Sequence, residues 1–191
     1  MNPTQRKKID RLYRYFSENG FDFSLDEVSK AVGISKKTIF NRYESRRNME
    51  QMVCEYWLIC FDERFSIKSK ACNNPVEELL LFIYEIIWSS RKETFLFDKI
   101  RTNFSVLLTT GEDSLQNRVT AIILKGMEDD CFKNIWDHIF QYSQFLIFGI
   151  VYLYHDQLQN PEMLHYLLSP LLTEKGEQIV NEIDFGGFFA V

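Results

Sequence analysis

Residues 24–47, SLDEVSKAVGISKKTIFNRYESRR, leave little choice of local structure and so constrain whatever the rest of the chain builds around them. The Ser24 hydroxyl is placed to accept from the first free backbone N–H groups of a helix, and Glu27, three residues on, is placed to reach back in a capping box. A helix therefore starts at about Leu25. Leu25, Val28 and Ala31 or Val32 recur at helical spacing, Gly33 supplies a backbone that accepts positive φ, and Ile34 packs the turn. Ser35 opens a second helix. Ile39 and Tyr43 lie four apart on its inner face, which leaves Lys36, Lys37, Asn41 and Arg42 outside. Two short helices around a glycine turn, the second studded with exposed cations, form the pattern of a helix-turn-helix.

Charge is distributed to suit that reading. Residues 1–50 carry 11 Lys+Arg against 7 Asp+Glu, a net of +4, whereas residues 51–191 carry 11 against 20, a net of −9. A basic head on an acidic body directs only the head to a polyanion, so the overall charge of −5 does not argue against DNA. Cys54, Cys60, Cys72 and Cys131 lack the paired spacing of zinc sites, and His138, His155 and His165 form no i,i+4 metal pair or nucleophile motif. We expect no metal, no cofactor and no enzyme activity. Residues 1–10 are polar and lack the apolar core of a signal peptide. The longest apolar run, FLIFGIVYLY at 145–154, is about half the ~20 residues that a membrane span needs. The expectation is a soluble, cytoplasmic protein with reduced thiols.

Apolar residues recur at three and four throughout, glycine is sparse, and no alternating run suggests a sheet. The predicted fold is all-α. Helix one covers about 4–19, with Ile9, Leu12, Tyr13 and Phe16 as its inner stripe and Asn19–Gly20 as a left-handed cap. After the motif, a long helix capped by Ser45 runs to about 67 and ties the head to the body. Asn74–Pro75 followed by two glutamates starts a helix over about 75–92. Further helices are expected at about 95–109, 112–128, 133–155 and 161–183, with Pro170 either kinking the last or dividing it. This gives a helix-turn-helix domain at 1–47 and a helical body at 48–191. The apolar tail from Phe185 either docks on the body or is disordered.

In order and spacing, residues 5–60 resemble the DNA-binding head of TetR-type (TetR/AcrR) transcriptional regulators. The resemblance rests on the FSENGF end of helix one, the Leu25-to-Val32 helix, the turn GIS, the helix KKTIFNRY and the ESRRNM opening of the fourth helix. It covers about the first third of the chain and departs at two places. Lys37 stands where the family often has glycine, and Phe40 where a tyrosine hydroxyl often meets phosphate, so that contact is not carried over. The resemblance implies a ligand-responsive repressor with an all-helical, two-fold dimeric architecture, in which the last two main helices of each subunit form a four-helix bundle.

The second motif helix is expected in the major groove of double-stranded DNA, with Lys36, Lys37, Asn41 and Arg42 at or near base edges. Ser24, Thr38, Tyr43 and Arg46, with Ser35 at the helix start, are candidate phosphate contacts; Tyr43 has an equal claim to the core. The run at 139–154 is apolar nearly all round and needs a partner helix, so we expect a homodimer through 133–155 and 161–183. Gly149 there allows close approach, and Leu164, Leu167, Leu168, Leu171 and Leu172 form a facing stripe. Such a dimer suits a palindromic operator. Among the body's many aromatic residues, Trp57, Trp88, Phe104, Trp136 and Phe148 are candidates to line a site for a small apolar or aromatic effector. The alternative is a helical small-molecule binding protein or enzyme whose head does not act on DNA.

Overall fold

A computed structural model describes residues 3–112, 114–153 and 161–184. Among them the chain is all-α: α1 (Pro3–Asn19), α2 (Leu25–Val32), α3 (Lys36–Tyr43), α4 (Arg46–Lys68), α5 (Pro75–Lys92), α6 (Thr94–Asn103), α7 (Val106–Thr109), α8 (Leu115–Glu128), α9 (Ile139–Phe148), α10 (Pro161–Leu168) and α11 (Glu174–Glu182). A 3₁₀ turn, Trp136–His138, leads into α9, and a wider π turn, Gly149–Leu153, continues it. The helices group into two compact units, Met1–Glu63 with Ser89–Leu107, and Arg64–Trp88 with Leu108–Val191.

In the first unit, Ile9, Leu12 and Phe16 of α1 are buried together with Val28 and Val32 of α2, Ile39 and Tyr43 of α3, and Met49, Val53 and Trp57 of α4. The loop after α1 contributes Phe21, stacked on Phe16 with ring centroids 4.7 Å apart, and Phe23, tilted against the same ring at 4.7 Å. Gly20 turns the chain at φ 74°, and the Phe95 ring lies 3.1 Å from where a Cβ would stand. Within this unit α6 packs on α1. Glu93, just before α6, accepts hydrogen bonds from the Tyr13 hydroxyl and, at 2.7 Å, from the Trp57 indole N–H. One carboxylate thus joins α1 and α4 to the start of α6.

The second unit is closed by its own leucines. Leu164, Leu167 and Leu168 of α10 and Leu171 and Leu172 beyond it are all buried. Pro170 divides the segment expected over 161–183: α10 ends at Leu168, and Leu171 and Leu172 turn back against residues 132–133. The Leu171 carbonyl accepts from the Lys133 N–H at 2.8 Å, and Phe132 bridges Leu172 in antiparallel fashion. That pairing also explains why 133–135 is not helical. α11 begins beyond it, capped by Thr173. The segment expected at 95–109 likewise divides at Phe104 into α6 and α7, and the one expected at 112–128 starts later, where the Ser114 hydroxyl caps α8. In α5, Glu85 is fully buried and neutralised by Lys68 at 2.8 Å and Arg64 at 3.6 Å, with the Arg64 guanidinium over the Trp88 ring. A buried carboxylate requires such partners. Expectations for 154–160 and for the tail from Phe185 fall outside the described residues. No helix among the described residues is long and apolar enough to cross a membrane.

Candidate nucleic-acid interface

The motif forms from the local signals that foretold it. The Glu27 backbone N–H donates to the Ser24 hydroxyl at 3.3 Å, and the Ser24 backbone N–H donates to the Glu27 carboxylate at 2.7 Å. The Ser24 backbone N–H and, at 2.9 Å, the Ser24 hydroxyl both donate to the Glu27 carboxylate and hold it below its ordinary pKa, since they favour the charged form. Gly33 closes α2 at φ 64°, and Arg11 of α1 donates to the Val32 carbonyl at 3.3 Å. At the start of α3 the Ser35 hydroxyl accepts from the Thr38 backbone N–H at 3.1 Å and meets the Thr38 hydroxyl at 2.8 Å. Ser45 caps α4 through the Asn48 N–H at 3.1 Å.

The result is an α3 anchored by Ile39 and Tyr43 whose opposite side is open to solvent. Lys36, Lys37, Phe40 and Asn41 are exposed there, and Thr38 and Arg42 are half-buried. Lys36 makes an ion pair with Asp26 of α2, so it is held along the motif while Lys37 and Asn41 lie open. Arg42 rests with its guanidinium 5.7 Å from the centre of the Tyr43 ring. Ser24 and Ser35 are exposed as well as serving as caps.

Two of the expected phosphate ligands, Tyr43 and Arg46, also have places in the packing of the head. Tyr43 is 2% exposed, and its hydroxyl is enclosed without a hydrogen-bonding partner among the described residues. Burial pushes its pKa above the ordinary value. Its position four residues after Ile39 decided its place in the core. Arg46 donates through Nε to Glu50 at 2.9 Å, through Nη1 to the Phe23 carbonyl at 3.2 Å, and through Nη2 to the Phe21 carbonyl, with its plane 4.5 Å from the Phe23 ring centre. A guanidinium has five donors, and here they tie the start of α4 to the loop after α1. The other Glu50 oxygen takes Lys99 of α6 at 2.8 Å. Arg47, which sequence reasoning passed over, is exposed beside this network. The run ESRRNM held both arginines, and spacing alone did not say which would be tied to the loop after α1; both are exposed.

The five candidate effector residues are divided between the two units. Trp57 and Phe104 are buried in the first unit, Trp57 spending its N–H on Glu93. Trp88, in the second, is half-buried against Arg64, while Trp136 and Phe148 are exposed at 63% and 50%. The dimer expectations change in detail. The five leucines face inward, and Gly149 is buried in its own chain, so neither offers a surface to a second copy. What α9 does leave open is an aromatic stripe. Phe140, Phe145 and Phe148 are exposed alongside Gln141 and Gln144, while Ser143, Leu146 and Ile147 are buried. Exposed Tyr166 of α10 and Phe145 line one groove with Met163, Leu167, Ser169 and Pro170.

No protein-family model and no curated protein sequence matches the chain. Among solved structures it is similar to RolR without ligand (TM-score 0.69, 14% identity, 93% of this chain and 97% of that one). It is also similar to the TetR family protein CprB from S. coelicolor A3(2) (TM-score 0.65, 12% identity, 99% of each chain). A third is the ketosteroid transcriptional regulator KstR2 of Mycobacterium tuberculosis (TM-score 0.57, 13% identity, 91% of this chain and 97% of that one). Identities this low speak for the fold: along nearly its whole length the chain has the all-helical fold of these regulators.

Proposed function

We propose that the protein is a DNA-binding transcriptional regulator that reads a palindromic operator as a homodimer and is released by a small apolar or aromatic effector. The observation that carries this reading is α3: a capped helix, fixed from behind by Ile39 and Tyr43, that presents Lys37 and Asn41 side by side to solvent. An α-helix fits the major groove, where a lysine suits guanine O6 and N7 and an asparagine suits adenine N6 and N7. Ser24, Ser35 and Thr38 surround the motif as hydroxyl donors for phosphates, and Lys36, Arg42, Arg46 and Arg47 add positive charge. Residues 1–47 hold these contacts, and residues 48–191 hold the dimer face and the effector site. Similarity to named ketosteroid and γ-butyrolactone regulators supports an effector of apolar character. Repression, cytoplasmic location and absence of catalysis belong to the same reading.

Selection from a random DNA pool tests it. A palindromic sequence should be enriched and its affinity should fall steeply with salt, since each neutralised phosphate releases counterions. Lys37→Ala and Asn41→Ala should each relax preference at a single operator position at a cost of about 1–3 kcal/mol, whereas Thr38→Ala should weaken all sequences alike. No enrichment and no salt dependence would refute DNA binding. A compound screen for release of the selected operator tests the effector.

A further inference from the structure

Phe40 is 64% exposed, the most exposed large apolar side chain among the described residues of the first unit. It belongs to the open side of α3: Lys36 precedes it by four residues, Lys37 by three, and Asn41 follows it, all exposed, while Ile39 and Tyr43 hold the opposite side in the core. Nothing in the packing of the head requires a ring at this position. An aromatic ring left in water at the centre of a polar recognition surface gains most if its partner is apolar. In the major groove, base edges offer hydrogen-bond donors and acceptors and one kind of apolar group, the C5-methyl of thymine. Without a hydroxyl, Phe40 donates nothing to a phosphate. Around it on α3 the exposed polar residues are Lys36, paired with Asp26, Lys37 and Asn41.

We propose that Phe40 is a specificity-determining residue that packs on a thymine methyl, so that α3 reads through a cation, a ring and an amide: Lys37, Phe40 and Asn41. The inference rests on the DNA-binding reading above. Its occupant is the base edge; the sugar-phosphate backbone is the outcome that would displace it.

The probe is the selected operator with each thymine replaced in turn by deoxyuridine, which removes the methyl and keeps every hydrogen-bonding group. At one thymine of each half-site the full-length protein should lose roughly fourfold in affinity, about what burying a single methyl is worth. Phe40→Ala should bind thymine and uracil equally there while retaining the wild-type salt slope and the preferences set by Lys37 and Asn41. Phe40→Leu, still apolar, should keep part of the discrimination. Because Phe40 is exposed, unchanged helical circular dichroism is expected of both variants. Equal affinity of the wild type for every uracil-substituted operator would overturn the proposal, as would thymine discrimination that survives in Phe40→Ala. A uniform loss across all operators in Phe40→Ala would place the ring on the backbone instead. Wild-type protein with no salt-dependent operator binding would remove the underlying reading, and this inference with it.

Discussion

The Tyr43 hydroxyl sits at the back of α3, enclosed and without a partner among the described residues. A buried, unpaired hydroxyl costs free energy that a phenylalanine would not, on the order of 1 kcal/mol. Tyr43→Phe is therefore expected to leave operator affinity unchanged and to hold or raise the urea midpoint. The sign of the pH dependence follows from burial: a folded-state pKa above the ordinary ~10 keeps the neutral phenol in the folded protein. The contribution is complete below the unfolded-state value and is lost as pH rises through the folded one. Wild-type stability should thus decline at strongly alkaline pH in a way that Tyr43→Phe moderates; a mutant that loses DNA affinity without losing stability would return Tyr43 to the phosphate contacts. Arg46 and Lys36 carry a related lesson. Their types said cation, but Glu50 and the loop carbonyls hold the first and Asp26 the second.

At the scale of elements, the close approach of α8 to the chain that follows it depends on Gly126. A Cβ there would land inside the contact distance of the Phe132 ring, and one on Gly176 would strike the Cys131 carbonyl. Alanine is the better helix former by about 1 kcal/mol, yet Phe132 is buried and has nowhere to retreat. Overpacking of this kind typically costs about 1–3 kcal/mol. Gly126→Ala should lower stability in urea titration by an amount within that range, and a stabilised mutant would show that the ring yields freely. Gly126 carries no turn signal and sits mid-helix, where sequence reasoning would count it a mild defect. Only the return of residues 131–133 against 171–173 gives it a purpose.

At the scale of the whole molecule, α9 leaves an aromatic side exposed. Phe140, Phe145 and Phe148 each leave about half their surface in water, roughly 100 Å² apiece for side chains of this size. With exposed Tyr166 and Trp136 the aromatic area supplies a large part of the ~800 Å² per partner of an ordinary interface. On the proposed function, an isologous dimer through this stripe would set two copies of α3 about one two-fold axis. The paired substitution Phe145→Glu with Phe148→Glu should shift sedimentation toward monomer with helical content intact, and operator affinity should fall with dimer content. A dimer that persists would move the interface elsewhere. In an intact dimer, moving the operator half-sites by about half a DNA turn should abolish binding, because the reading helices are expected one turn, ~34–36 Å, or a multiple apart.

The sequence by itself determined the helices whose ends it marks: Ser24 with Glu27, Gly33, Ser35, Ser45 and Asn74–Pro75 act within a few residues, so their consequences were legible without a fold. It likewise fixed the inner and outer sides of α3, because a four-residue period needs no knowledge of what lies behind it. Only the tertiary structure decided which cations of the motif were paired within the chain, which leucines were already used, and where the segments expected at 95–109 and 133–155 broke. Lys36 was drawn to Asp26 across the motif, Leu171 and Leu172 turned inward behind Pro170, and the apolar run after Ile139 divided into a buried side and an aromatic side. Those outcomes depend on partners beyond the reach of a helical turn, ten residues away for Lys36 and about forty for Leu171 and Leu172, whose positions no local period or cap encodes.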